Sequence, residues 1–201
     1  AVFSPDAKPI GEIAVASPDL VTVHPKTGAI YVLRRLRSGY YQYDVSLEKF
    51  ANFDKGAVPV ASYRFDNKAM TPQIALVIKG DKTIMWVSGV KGGLQAIVDK
   101  GAAFELMETA FKPRPDAQID WNRLAVDYEK DILYASDGGY LFWRYDGRTG
   151  EGGILKKGGQ PFNGVDLAVG YDGLLYVRSG SGYSGPPERY TRDLEPAPMA
   201  S

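Results

Sequence analysis

Short apolar runs recur along this chain, broken by Gly, Asp, Lys and Pro. Such runs bounded by turn-formers read as β-strands, and the punctuation is the chemistry of tight turns. One unit recurs: a short apolar strand, a polar turn, then a second strand carrying an aromatic. It reads VTVHPKTGAIYVL at 21–33, ALVIKGDKTIMWVS at 75–88, LAVDYEKDILYAS at 124–136 and LAVGYDGLLYVRS at 167–179. Each first strand contains a Val (Val23, Val77, Val126, Val169), and each second strand an aromatic (Tyr31, Trp86, Tyr134, Tyr176).

The likeness continues downstream. A further strand end follows each aromatic, at Tyr43-Asp44, Val98-Asp99, Tyr145-Asp146 and Tyr190-Thr191. Fourth strands are expected near Lys49–Phe53 and Phe104–Thr109, with Gly153–Lys157 offering a weaker one. The aromatics lie 55, 48 and 42 residues apart, a spacing suited to a four-stranded propeller blade. The reading is therefore an all-β chain, one propeller domain over 1–201. Its units fall at 17–70, 71–119, 120–162 and 163–201, and residues 1–16 could close the last blade through a Gly11–Ala16 strand. Pro196 and Pro198 fit poorly in a central ladder, which leaves that blade short of its own outer strand. The stretch Ala102–Phe111 also has helix propensity, but its place in the repeat matches an outer strand. One blade cannot bury both faces of its sheet; stacked blades can, and the second-strand aromatics are expected between them.

Composition narrows the function. The 201 residues include 23 Gly, 13 Pro and 13 Tyr, as short strands and turns require. Basic and acidic residues number 24 each, so no global basic excess favours nucleic acid. Cysteine is absent, which removes disulfides, thiolate metal sites and cysteine nucleophiles. No apolar run approaches the ~20 residues of a membrane-spanning helix. The opening Ala-Val-Phe-Ser-Pro-Asp has no leader pattern, so either a leader has been removed or the chain is an excerpt.

Residues 124–146, LAVDYEKDILYASDGGYLFWRYD, resemble the NHL-type repeat of six-bladed propellers, and 167–191 is the next closest copy. The first two units match in spacing and apolar pattern only. The resemblance implies part of a larger ring, or a piece of a larger multidomain protein. It also implies a bacterial extracytoplasmic location. LFWRYD at 141–146 is similar to a strand of four-bladed hemopexin-like domains, which implies a closed four-bladed ring instead. Both alternatives stand.

In a propeller the first strand is innermost, so the loop leading into it faces the mouth of the central channel. Six residues before each Val stand Ser17, Thr71, Asp120 and Asn163; four before stand Asp19, Gln73, Asn122 and Val165. With Asp166, the polar members form a candidate channel-mouth ring for a ligand. Asp120, Asn122 and Asn163 are the candidate metal set, their oxygens suiting calcium or another hard divalent cation. In the lactone-hydrolase branch of such propellers a ring of this kind holds a divalent metal. The competing reading is that strand junctions are polar because Asx turns cap the backbone there.

The remaining motifs are weaker. Gly180–Gly185 matches G-x-G-x-x-G, but Pro186 and Pro187 preclude the helix a dinucleotide site needs. The single histidine, His24, sits before Pro25 with no nucleophile or carboxylate set beside it and reads as a turn residue. Arg34, Arg35 and Arg37 read as a solvated loop cluster, and the tyrosines as packing between blades rather than a ligand platform. The expected function is a non-enzymatic binding or scaffold module presenting loops to a protein, glycan or small ligand. The alternative is a divalent-metal-dependent hydrolase or lyase using the ring.

Overall fold

In the computed structural model, all four repeated segments fold as antiparallel hairpins. Residues 2–3, 6, 8–39, 42–54, 56–68, 72–90, 93–111, 123–136, 141–178 and 186–198 are described. Strands in several antiparallel sheets make up the structure, with no helix among the described residues. The chain divides into two units, Ala1–Met70 with Asp99–Glu105, and Thr71–Val98 with Leu106–Ser201.

In the first unit, β1 (Val2–Phe3) pairs with β2 (Pro9–Gly11). The strands β3 (Pro18–Val23), β4 (Ile30–Gly39), β5 (Gln42–Phe50) and β6 (Ala61–Lys68) then form a sheet in sequence order. Ile30, Val32 and Phe50 bury one face under Ile13, Val15, Phe53 and Ala57. The expected closing segment Gly11–Ala16 thus sets Gly11 against Val2, with Ile13 and Val15 on this small core.

Two expectations for this sheet fail. Tyr43-Asp44 begins the third strand rather than ending it, and the fourth strand is Ala61–Lys68 rather than Lys49–Phe53. The cause is the length of β4, which runs through the arginines read as a loop. Arg34 and Arg35 have partners from the preceding and following segments that let them stay in the ladder. The Arg34 Nε donates to the Ala16 carbonyl (2.7 Å), and its guanidinium pairs with Glu48. Arg35 pairs with Asp19 at 3.0 Å and lies over the Tyr43 ring.

The second unit carries β7 (Ile74–Lys79), β8 (Lys82–Val90), β9 (Gly93–Asp99) and β10 (Phe104–Met107), ordered β10-β9-β8-β7; Asp99 and Phe104–Glu105 group with the first unit. Residues 104–107 are therefore strand, as the repeat position required. Next come β11 (Arg123–Asp127), β12 (Ile132–Ser136), β13 (Phe142–Asp146) and β14 (Gly152–Ile154) in one sheet. Lys156–Lys157 leaves that sheet as β15 and pairs with β16 (Gln160–Pro161). Last is a three-stranded sheet of β17 (Asp166–Val169), β18 (Leu175–Arg178) and β19 (Glu188–Tyr190).

The register makes the four hairpins comparable. Val23 faces Ile30, Val77 faces Ile84, Val126 faces Leu133, and Val169 faces Leu175. The aromatics are less uniform. Tyr31, Tyr134 and Tyr176 pair with Thr22, Ala125 and Ala168, one residue before the Val, whereas Trp86 pairs with Ala75, two before. Because strand side chains alternate in direction, Trp86 projects from the face of Val77, and the tyrosines from the face opposite their valines.

That difference serves the stacking inside the second unit. Val77, Ile84 and Trp86 form one core with Val126, Leu133 and Ala135. The other face of the same middle sheet, with Tyr134 and Phe142, forms a second core with Leu167, Leu175 and Val177. The sheet of β11–β14 is thus apolar on both faces, and β11 lies beside β7 and β17. Each Leu or Val fully buried there contributes about 1.5–3 kcal/mol.

Candidate functional site

Short turns end the first strands of the third and fourth hairpins, at 128–131 and 170–174. Both put a tyrosine two residues past the Val, where a turn side chain has no core to join. Tyr128 is 62% exposed and Tyr171 fully exposed. Between the turns lies a cavity of about 460 Å³ whose walls include Val126, Val169, Tyr128, Tyr171 and Arg192. That is within the roughly 300–1,000 Å³ of small-ligand sites.

Asp127 anchors the floor. It is 2% exposed, and its Oδ1 accepts hydrogen bonds from the Glu129 (3.1 Å) and Lys130 (3.3 Å) backbone N–H groups. Arg192 completes its set: Nε donates to Oδ2 and Nη2 donates to Oδ1 (3.1 Å), while Nη2 also reaches Glu129. The turn after β19 delivers this arginine. Leu194, buried in the second core, pins that turn, and Thr191 closes it by accepting the Glu195 N–H. Gly173, at φ +73°, leaves room for the guanidinium; a Cβ there would come within 2.7 Å of Arg192 Nη2.

The electrostatics follow from this geometry. Burial works to raise the Asp127 pKa, but the bond and charge of Arg192 with the two backbone donors outweigh it and hold the carboxyl below its ordinary range. Hydrogen bonds to Asp127 and Glu129 hold Arg192 protonated. Desolvation pushes the Tyr128 phenol upward, and the Tyr171 phenol adds to the shift.

The residues of the expected channel-mouth ring are placed as follows. Thr71, Asp120 and Asn122 lie outside the described residues. Ser17 and Asp19 belong to the first unit, where the Ser17 carbonyl accepts the Arg35 N–H and Asp19 pairs with the Arg35 guanidinium. In the second unit, the Gln73 N–H donates to Ser88 Oγ (3.2 Å), and Asn163 bridges to Leu141. Asp166 accepts from Arg123 Nε (3.1 Å) and its own neighbour Leu167 N–H (3.0 Å), with Arg178 at 3.4 Å. No group of three or more His, Asp or Glu side chains set to hold a metal occurs among the described residues.

Sequence reasoning passed over the Tyr128–Tyr171 cleft because it read the tyrosines as packing. The signal was present: in LAVDYEKD and LAVGYDG the tyrosine sits between turn-formers, past the last apolar strand position.

No protein-family model matches the chain, and no curated protein matches it. Among solved structures the chain is similar to a GH43_1 enzyme from Xanthomonas citri. The identity is 15% and the TM-score 0.43, over 88% of this chain and 70% of that one. A likeness at that level does not bear on the activity of this chain.

Proposed function

We propose that this chain is a β-propeller-type binding module, not a catalyst, and that its ligand-accepting surface is the cleft between the β11–β12 and β17–β18 turns. The propeller reading is supported by the face-to-face packing of three sequence-ordered antiparallel sheets in the second unit, with β7, β11 and β17 side by side. The NHL-like stretches 124–146 and 167–191 fall on two of those sheets.

One observation carries the binding reading. Asp127 and Arg192 are bound to each other at the floor of a preformed cavity flanked by two exposed tyrosines, and that pairing moves Asp127 downward and Arg192 upward in pKa. A general acid or base needs a pKa near its working pH. Asp127 and Arg192 instead hold fixed charges, and two exposed aromatic rings stand beside the cavity, which suits recognition.

The test is a screen of a neutral, acidic and basic fragment library by ligand-observed NMR, with amide shift mapping and product analysis of each hit. Saturable shifts confined to 126–129, 169–173 and Arg192, without turnover, are expected. Hits that map only elsewhere, or that are converted to product, would overturn the proposal.

A further inference from the structure

The chemistry of the cleft narrows its ligand, an inference that rests on the cleft being a binding surface. Its charged side chains are held in pairs. Asp127 and Glu129 share the Arg192 guanidinium, and Lys130 Nζ stands 3.9 Å from Glu129 Oε1. Both lining carboxylates are thus engaged by cations, Arg192 in the lining and Lys130 beside it, and the nearby Asp172 carboxylate is spent on the Leu174 N–H and the Tyr176 hydroxyl, so no bare charge faces a ligand. What remains is directional hydrogen bonding and apolar ring surface. Arg192 spends Nε and Nη2 on its carboxylates among the described residues, which leaves the Nη1 hydrogens as donors. Glu129, 67% exposed at its side chain, keeps lone pairs as acceptors. Val126 and Val169 add apolar edges, and Tyr128 and Tyr171 offer aromatic faces from equivalent turns.

A ligand matching this set is uncharged, rich in hydroxyls and has an apolar C–H face to lay on a tyrosine ring. We infer that the cleft between the Tyr128 and Tyr171 turns binds a neutral saccharide, with pyranose C–H faces against the tyrosines and hydroxyls bonded to Arg192 and Glu129.

The test titrates the full chain with cellotetraose, xylotetraose, maltotetraose and a neutral biantennary N-glycan, following backbone amides by NMR. Tetragalacturonate, a chitosan tetramer and phosphocholine serve as charged comparators. The linear sugars stand for polysaccharide and the branched glycan for glycoprotein, so the responding arm identifies the source. At least one neutral sugar should give saturable shifts at 128–129 and 170–173. Tyr171→Ala should weaken that binding about tenfold, the worth of one lost aromatic stacking contact, whereas Tyr171→Phe should retain it. Amide spectra of both variants should overlay with the parent away from the cleft. Failure of every neutral sugar, with a charged comparator saturating the same amides, sinks the saccharide assignment and leaves the binding surface standing. If nothing tested here or in the fragment screen moves those amides, both readings fall. Equal sugar binding by parent and Tyr171→Ala also overturns the assignment.

Discussion

His24 and Asp127 occupy the same place in two hairpins, one residue past Val23 and Val126, and do the same work with different chemistry. His24 Nδ1 accepts from the Lys26 (3.1 Å) and Thr27 (3.2 Å) N–H groups, the donors two and three residues on. Asp127 Oδ1 accepts from Glu129 and Lys130, again two and three on. Asp146 repeats the pattern with Arg148 and Thr149. The turn therefore requires an acceptor, not a particular residue. The charge of that acceptor decides what else is built. A carboxylate draws in Arg192, and with it the wall of a cleft; a neutral imidazole, its ring proton on Nε2, accepts the same two backbone donors without a negative charge to recruit a guanidinium.

Removing the acceptors tests this most severely. Asp127→Ala leaves two backbone donors and Arg192 without their partner, and should cost about 3 kcal/mol, the low end for a broken buried pair because Arg192 is partly exposed. Asp127→Asn keeps an acceptor and loses the charge, so about half that loss is expected. A urea denaturation series that ranks the two variants equally would show the charge to be irrelevant. His24→Ala should cost less, about 1–2 kcal/mol for two lost bonds, and His24→Asn should recover most of it. No recovery in the same denaturation series would mean that imidazole packing, not acceptance, matters at this turn.

The smallest effect is a difference in acid sensitivity. Burial lowers the His24 pKa from its ordinary 6.5, so the unfolded chain binds the proton more readily. The contribution of His24 is complete above that value and is lost as pH falls through the lower folded one. Asp127 is likewise lowered, but from 3.8, so its contribution is complete above that value and is lost only as pH falls through the lower folded one. Amide shifts recorded from pH 7.5 to about 3 should therefore move at Lys26 and Thr27 before Glu129 and Lys130. Simultaneous movement would break the distinction between the turns.

Much of the architecture was legible because short apolar runs and turn chemistry are local signals. The four Val-centred hairpins and the outer strand at 104–107 follow from them. What escaped was set by contacts distant in sequence. Ion pairs of Arg34 with Glu48 and Arg35 with Asp19 hold a polar segment in β4, and that shifts the following strands. Trp86 looks equivalent to Tyr134 in sequence, yet a one-residue offset turns it to the other face of its sheet. The cleft was hidden for a related reason. Its decisive arginine arrives from the turn after β19, 65 residues beyond Asp127, and nothing near Asp127 announces it.

The indole of Trp86 has one more consequence. Its Nε1 donates to the Gly147 carbonyl (2.7 Å), linking β8 to the turn after β13. The hydrophobic attraction between apolar layers has no direction, and their alignment rests on interlocking side chains. A single aimed bond between them acts as an indexing pin. The socket is shallow by necessity, since a Cβ on Gly147 would meet Val77 at 2.7 Å and the Asp131 carbonyl at 2.8 Å. Any graft that swaps one of these layers for a relative's must carry tryptophan and glycine across as a matched pair, or the layers lose their alignment.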